Sequence, residues 1–295
     1  MMKRVLCGVM AAALVASTIV VAPDASAAKV PKAKYTFNMN KANKKVVAVA
    51  RKGDTASMTC GNTETGVLPQ ASQAKKIKLK YAKGKHGKAL YLDRSKSYGA
   101  ELKGIKLGSK SWTVSFWVKS VNEVGQFMSV FFTGSDIVNT KKTKWISLTR
   151  TGDGWMNGVS TPAIWSHNAA ADQFPWYAYQ TEDGTWAGDG DDKNAVGIKK
   201  GQWTYVTLVV DTSDTCEYGT SGEEGYVKSY HAWTYVNGKL FGNGTVAKGT
   251  MSNKNSFFLG INAWDAPFKG YFDDVQFWNK ALTDKQVAKL YKSMK

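Results

Sequence analysis

The chain has few cysteines, and those it has form no recognisable metal or redox pattern. Its 295 residues include three Cys, and Cys7 lies in an apolar N-terminal stretch, which leaves Cys60 and Cys216 in the remainder. No Cys-x-x-Cys spacing is present, so the patterns of zinc and thiol-redox sites are missing. An even pair in an exported chain permits a disulfide between Cys60 and Cys216, with two free thiols as the alternative.

Motifs for catalysis on nucleotides or by a nucleophile are also missing. The three histidines, His86, His167 and His231, are isolated, and none has a Ser, Cys or carboxylate at a recognisable triad spacing. The chain contains neither a phosphate-binding loop nor a dinucleotide fingerprint. These absences favour a protein that is not an enzyme.

Long apolar runs are confined to the N-terminus. Lys3 and Arg4 precede an apolar segment at 5–21, and Ala-Ser-Ala follows at 25–27. This order is typical of a secretory signal peptide, predicted over residues 1–27, with a membrane anchor as the alternative. No later segment is apolar enough to cross a bilayer. We therefore expect a secreted, extracellular product whose mature chain has no membrane span.

Negative charge is scarce relative to positive charge. Forty Lys and Arg face 23 Asp and Glu, a formal net charge of +17. Such an excess favours contact with polyanions through a basic surface, although a merely solvated surface is the alternative. An exported protein meets acidic glycans or anionic lipid before nucleic acid, so nucleic acid is not an expected partner. If residues 76–80 form a strand, then Lys76, Lys78 and Lys80 make one basic stripe.

Several segments carry a known β-sandwich pattern. The closing run Gly-Tyr-Phe-Asp-Asp-Val-Gln-Phe at 270–277 is followed by Asn-Lys-Ala-Leu-Thr at 279–283, and related strand patterns occur at 87–93, 111–118 and 203–211. Together they resemble laminin G-like domains of the concanavalin A-like lectin/glucanase superfamily. The resemblance implies an all-β fold, a two-sheet antiparallel jelly-roll sandwich with a short C-terminal helix.

Local signals agree with that architecture. Apolar and polar residues alternate at 112–118, as a half-buried strand requires, and Asn237-Gly238 predicts a type I′ hairpin turn. Thr283 and Gln286 form a capping-box pattern for a helix that extends to about Ser293. We expect a basic leader at residues 28–34 and one domain at 35–295, with an aromatic-rich insert at 150–200.

The insert is the first candidate binding site. In jelly rolls, variable loops border the sheet on which sugars bind, and pockets combine aromatic walls with a few polar groups. A second candidate is the loop that contains Asn262, Trp264 and Asp265. For the insert the alternative is packing of the aromatics beneath a long loop, and for the second site it is a Trp that caps the end of the sandwich. The candidate carbohydrate-binding residues of the insert are Trp155, Trp165, Trp176, Tyr177, Tyr179 and Trp186.

The resemblance also implies a structural calcium ion, with Asp273 as a candidate ligand. The alternative role for Asp273 is a buried acceptor of backbone amides. The acidic run at 189–194 fails the EF-hand pattern, because Lys193 replaces a ligand and Gly is missing at the sixth position.

Three functions remain open at this point. The first is a non-catalytic lectin-like module that binds carbohydrate, including acidic glycans of a cell surface or matrix. The second is an adhesion module that binds a surface protein. The third and most remote is a glycan hydrolase or lyase, but the Glu-x-Asp-x-x-Glu run of related glucanases, which sets two carboxylates at retaining spacing, does not occur.

Overall fold

The fold is built from short strands and one C-terminal helix. The computed structural model describes residues 29–51, 69–93, 98–121, 128–135, 144–151, 161–168, 197–218, 227–263 and 265–295. Within these ranges the strands are β1 (Tyr35–Phe37), β2 (Val46–Ala50), β3 (Lys80–Lys83), β4 (Lys88–Leu92), β5 (Tyr98–Leu102), β6 (Trp112–Ser120), β7 (Met128–Ser135), β8 (Lys144–Thr151), β9 (Thr161–Asn168), β10 (Thr204–Tyr218), β11 (Val227–Val236), β12 (Lys239–Ala247), β13 (Ser256–Leu259) and β14 (Gly270–Trp278). A 3-10 turn covers Ala71–Ala74, and the helix α1 covers Asp284–Ser293.

The described strands form two antiparallel sheets, which confirms the predicted jelly-roll class. The larger, eight-stranded sheet has the order β12-β11-β10-β6-β14-β4-β3, and β1 pairs with the far end of β14. The smaller, six-stranded sheet has the order β2-β5-β13-β7-β8-β9. Strands distant in sequence are therefore neighbours, and β14 is the central strand that joins β6 to β4.

The core lies between the two sheets and follows from the alternation of side chains along each strand. Val114, Phe116 and Val118 of β6 point inward and are fully buried, where they join Phe131 of β7 and Ile146 of β8 in one apolar cluster. Burial of each such side chain is worth roughly 1.5–3 kcal/mol. The intervening residues of β6 face the other side of the larger sheet.

The helix α1 covers part of the outer side of the larger sheet. Val287 and Leu290 pack against a cluster that includes Trp117 and Tyr205. Thr283 Oγ1 accepts a hydrogen bond from the Gln286 backbone N–H, and Gln286 Oε1 accepts one from the Thr283 backbone N–H, so the predicted capping box is present.

The predicted basic leader is held against the fold. Trp278 Nε1 donates to the Pro31 carbonyl oxygen at 2.8 Å, and Gln286 Nε2 donates to the Lys29 carbonyl oxygen at 3.1 Å. Val30 and Ala33 pack against the apolar cluster under α1. The described part of the leader is therefore tied to β14 and α1.

One local expectation is wrong and another is confirmed, and the segment predicted as an insert is partly regular. The predicted insert contains a regular strand, β9, because Thr161–Asn168 pairs along its length with β8. The basic stripe is wrong as a strand feature, since β3 begins only at Lys80, although Lys76, Lys78 and Lys80 are all exposed. Asn237 and Gly238 both have positive φ, 52° and 77°, as the predicted hairpin turn requires.

Candidate functional site

Asn262 and Asp265, from the second predicted site, lie in a buried polar network on the outer side of the smaller sheet. One carboxylate oxygen of Asp265 accepts from Asn262 Nδ2 at 2.6 Å and from Thr149 Oγ1 at 2.9 Å. Asn262 Nδ2 also donates to Ser147 Oγ at 3.1 Å, and Arg51 Nη1 donates to the Asn262 carbonyl oxygen at 3.1 Å. The side chains of this network, which we call the Asp265 network, fasten the segment before β14 onto β8.

Burial dominates the electrostatics of the Asp265 network. Asp265 is only 4% exposed. Burial raises the pKa of its carboxyl to about 6, while hydrogen bonds from Asn262 and Thr149 and the charge of Arg51 act to lower the pKa. Because its polar atoms are bonded to one another and buried, the network provides local rigidity.

Most of the other predicted site residues fall outside the described ranges. These are Trp155, Trp176, Tyr177, Tyr179, Trp186, Trp264 and Cys60. The backbone of Trp165 lies in β9 opposite Ser147, and that of Cys216 lies in β10 opposite Ser229. The insert as a sugar site and the disulfide therefore both stay predictions.

Asp273, the candidate calcium ligand, is surrounded by amide donors. Its Oδ2 accepts from the backbone N–H of Lys85 and His86, both at 3.0 Å, and its Oδ1 accepts from the N–H of Asp274 at 2.9 Å. A Cβ at Gly84 would lie 2.6 Å from that same Oδ2, so the β3–β4 turn closes tightly over the carboxylate. Both carboxylate oxygens are therefore held by backbone amides of the protein itself.

Two further observations describe the surroundings of Asp273. Burial raises the pKa of Asp273 to about 6, and the neighbouring charge of Asp274 raises it further against the effect of the amide hydrogen bonds. In the part of the chain that the structure describes, no group of three or more His, Cys, Asp or Glu is placed to hold a metal ion. The amide hydrogen bonds of Asp273 tie the β3–β4 turn to β14, and a calcium ion at this carboxylate stays a prediction.

A different set of side chains forms a line across the outer side of the larger sheet. Lys80 of β3 is opposite Tyr91 of β4, Tyr91 is opposite Tyr271 of β14, and Tyr271 is opposite Lys119 of β6. Trp203, which immediately precedes β10, continues the line beyond Lys119. Lys80 is exposed and the other four are half-buried. These five residues are called the aromatic–lysine row.

The rings and ammonium groups of the aromatic–lysine row contact one another. The ring centroids of Tyr91 and Tyr271 are 4.9 Å apart, and those of Tyr271 and Trp203 are 6.0 Å apart. Lys119 Nζ lies 4.7 Å from the Tyr271 centroid and 5.1 Å from the Trp203 centroid, within cation–π range of both. The packing holds the Lys119 ammonium at a fixed place on the sheet.

The polar ends of the aromatic–lysine row are available for a ligand. Neither tyrosine hydroxyl donates to or accepts from another described residue, and neither lysine forms an ion pair there. Partial burial, with smaller contributions from the charge of Asp93 and from Tyr271, raises the pKa of Tyr91 above its usual 10, so this hydroxyl stays protonated and can donate. The row therefore presents two phenol donors and two cationic donors in line.

Sequence reasoning did not find the aromatic–lysine row. Alternation does place Tyr91 between the inward Leu90 and Leu92, and it places Lys119 after the inward Val118. Its members come from strands far apart in the chain, however, and one sequence does not give the register that aligns them. The alternation within each strand predicts which residues face outward. It does not predict which residues of the other strands lie beside them.

The two antiparallel sheets and the C-terminal helix define a β-sandwich of the jelly-roll class. Residues 94–288 match the family described as the concanavalin A-like lectin/glucanases superfamily, in its laminin G group. The match covers well over half of the chain, so the protein belongs to this family. No curated protein sequence matches the chain.

Several solved structures are similar to the chain at low sequence identity. Domain 4 of AbnA, a GH43 extracellular arabinanase from Geobacillus stearothermophilus in complex with arabinotriose, is 22% identical, covers 88% of this chain and 98% of its own, and has a TM-score of 0.53. The CBM40 of Ruminococcus gnavus IT-sialidase bound to α2,3-sialyllactose is 12% identical, with coverages of 63% and 84% and a TM-score of 0.40. The binding domain of botulinum neurotoxin DC in complex with rat synaptotagmin II is 15% identical, with coverages of 74% and 45% and a TM-score of 0.44.

The structure contains one finding that bears on membranes. Among the described residues, no helix is both long enough and apolar enough to cross a bilayer. The helix that is described, α1, has ten residues, about half the length that a span requires.

Proposed function

We propose that this protein is a secreted, non-catalytic carbohydrate-binding module. The observation that carries the proposal is the aromatic–lysine row, which places unengaged hydroxyl and ammonium donors beside half-exposed rings on a lectin-type sandwich. A sugar presents hydroxyl oxygens that accept such donors and C–H groups that contact rings. Tyrosine and tryptophan suit this task because one part of each side chain is apolar and another part is polar.

Fold and sequence support the proposal from two other directions. The arabinanase domain that shares the fold was solved with arabinotriose, which makes an oligosaccharide a reasonable ligand for a sandwich of this kind. The signal-peptide pattern at residues 1–27 supports export to a place where glycans are met.

The state of the buried carboxylates supports a non-catalytic role. A retaining or inverting glycosidase needs two carboxyl groups that face the scissile bond. Here Asp265 and Asp273 are buried and accept hydrogen bonds from the protein itself, so neither is presented to a substrate. Both serve the fold.

A glycan array with the mature chain from Ala28 tests the proposal. Neutral and acidic glycans are both included, and each is probed at low and moderate salt. Binding to a defined set of glycans that survives moderate salt supports the proposal. No binding to any glycan, combined with capture of one protein from envelope or matrix extracts, would replace it with the adhesion function. Release of new reducing ends from a bound glycan would replace it with an enzymatic one.

A further inference from the structure

The aromatic–lysine row crosses the larger sheet, on the side opposite to the core. We propose that the row is a binding site for acidic polysaccharide, in which Lys80 and Lys119 pair with carboxylates of two uronic acids of one chain and the tyrosine hydroxyls donate to oxygens between them. This inference rests on the proposed carbohydrate-binding function and names its site and its ligand class.

The geometry of the row favours an extended, linear ligand. Lys80 and Lys119 are separated by three steps between neighbouring strands, since the order is β3-β4-β14-β6. At about 4.8 Å per step, the two backbone positions lie roughly 14 Å apart. Tyr91 and Tyr271 occupy the two positions between them. The donors therefore run as cation, phenol, phenol, cation along one line.

The positive charge of the row and the restricted position of Lys119 favour an anionic ligand. Lys119 is held over two rings, so its ammonium loses little conformational freedom when it binds a carboxylate. Lys80 lies at the edge strand with its side chain exposed, and Lys78 just before it is exposed as well. The chain as a whole carries a net charge of +17, which attracts polyanions over a distance.

The spacing of the rings argues for sugar and against nucleic acid. A base inserted between two rings needs roughly 7 Å, twice a van der Waals contact of about 3.5 Å. Tyr91 and Tyr271 are only 4.9 Å apart, and Lys119 occupies the space between Tyr271 and Trp203. The row therefore offers ring edges and hydrogen-bond donors, which suit a pyranose that carries hydroxyl and carboxylate groups.

Calorimetry with hexagalacturonate and its fully methyl-esterified form tests the inference, because the two probes share the sugar chain and differ in charge. We expect the acid to bind the full mature chain at least 10-fold more tightly than the ester. Lys119→Gln should weaken binding of the acid about 10-fold, since it removes a charge-assisted hydrogen bond. Tyr91→Phe combined with Tyr271→Phe, which keeps both rings, should weaken it 3-fold or more.

The matched control is Lys254→Gln. Lys254 is exposed in the turn before β13, a strand of the smaller sheet, and its change removes the same charge outside the row. We expect less than a 2-fold effect. Equal losses for Lys119→Gln and Lys254→Gln would show that only net charge matters, which overturns the site. Displacement of the acid by linear polyphosphate at equal charge concentration would overturn the choice of sugar as ligand.

The remaining outcomes separate this inference from the proposed function. If the chain binds the methyl ester or another neutral glycan and Lys119→Gln has no effect, the inference fails and the carbohydrate-binding function stands. If neither hexamer nor any arrayed glycan binds, both fail. Circular dichroism and thermal melting of each variant confirm that a loss of affinity is not a loss of fold.

Discussion

The outer sides of the two sheets use polar groups in opposite ways. On the smaller sheet, Asp265 and Asn262 are buried and their side chains bond to each other and to strand β8. On the larger sheet, Tyr91, Tyr271 and Lys119 are half-exposed and their polar atoms form no hydrogen bond or ion pair with the described residues. Polar residues near a sheet are therefore informative about function only when they have donors or acceptors that the protein itself does not use.

The difference between the two sides has an energetic basis. A buried donor or acceptor that loses its partner costs about 1–3 kcal/mol, and more if it is charged. The Asp265 network is thus necessary for stability. A half-exposed hydroxyl satisfies itself with water at little cost, so the aromatic–lysine row can be kept ready for a ligand without weakening the fold.

The largest expected effect comes from the removal of the buried carboxylate. Asp265→Ala should lower the free energy of unfolding by about 3–5 kcal/mol, because it removes the buried acceptor that Asn262 and Thr149 share and the negative charge near Arg51. Tyr271→Ala, the matched change on the other sheet, should cost about 1–2 kcal/mol. Urea denaturation measures both. Equal losses of unfolding free energy for the two variants would contradict the proposed difference between the two sheets.

The pH dependence of stability should also be traceable to Asp265. Its folded pKa of about 6 lies above an unfolded value of about 3.9, so the folded state binds the proton more tightly. The contribution of this proton to the free energy of unfolding is therefore greatest below pH 3.9. It is lost as the pH rises through 6. Relative to Asp265→Asn, the protein should lose about 2–3 kcal/mol between pH 4 and pH 7.

Denaturant titrations of both proteins across that range test this prediction. Asp273 has a raised pKa in both proteins, so its contribution cancels from the comparison. If the difference in unfolding free energy between the unchanged protein and Asp265→Asn does not vary with pH, the Asp265 carboxyl titrates normally. A difference of the opposite sign would mean that its hydrogen bonds outweigh burial.

A smaller effect is expected at the start of α1, which covers the outer side of the larger sheet next to the aromatic–lysine row. Thr283→Ala removes the acceptor for the Gln286 amide and should cost about 1 kcal/mol. Thermal melting gives the change, and Thr283→Ser, which keeps the hydroxyl, is the control. A loss of glycan affinity with Thr283→Ala alone would indicate that the binding site extends beneath the helix.

The smallest effect on stability is expected within the row itself. Tyr91→Phe and Tyr271→Phe keep the rings 4.9 Å apart and remove two hydroxyls that bond to no described residue. Unfolding free energy should change by less than about 0.5 kcal/mol for the pair. A larger loss in denaturation experiments would show that the hydroxyls serve the fold.

The sequence was sufficient for features that are encoded locally. The Asn237-Gly238 turn needs positive φ at two successive positions, and the Thr283–Gln286 box needs two side chains three residues apart, so each could be predicted from a few residues. The strand patterns of the family also predicted the two-sheet antiparallel architecture. Strand β9 was not found, because the abundance of Gly and aromatic residues over 150–200 obscured its alternation.

The candidate site was harder to predict because it depends on register. Asn262 and Asp265 have the composition of a sugar site, yet the fold turns them toward β8 and buries them. Tyr91 and Tyr271 are 180 residues apart in the chain and become neighbours only when β4 pairs with β14. Such strand pairing depends on the whole sheet, and no local motif predicts it.

Hydroxyl-radical footprinting with and without saturating hexagalacturonate tests the central claim most directly, because it reports which aromatic side chains a bound glycan covers. The account predicts that Tyr91, Tyr271 and Trp203 lose reactivity together when the hexamer binds, while the aromatics at 150–200 keep theirs. Protection confined to the 150–200 segment, with the aromatic–lysine row unchanged, would contradict it and return the binding site to the insert.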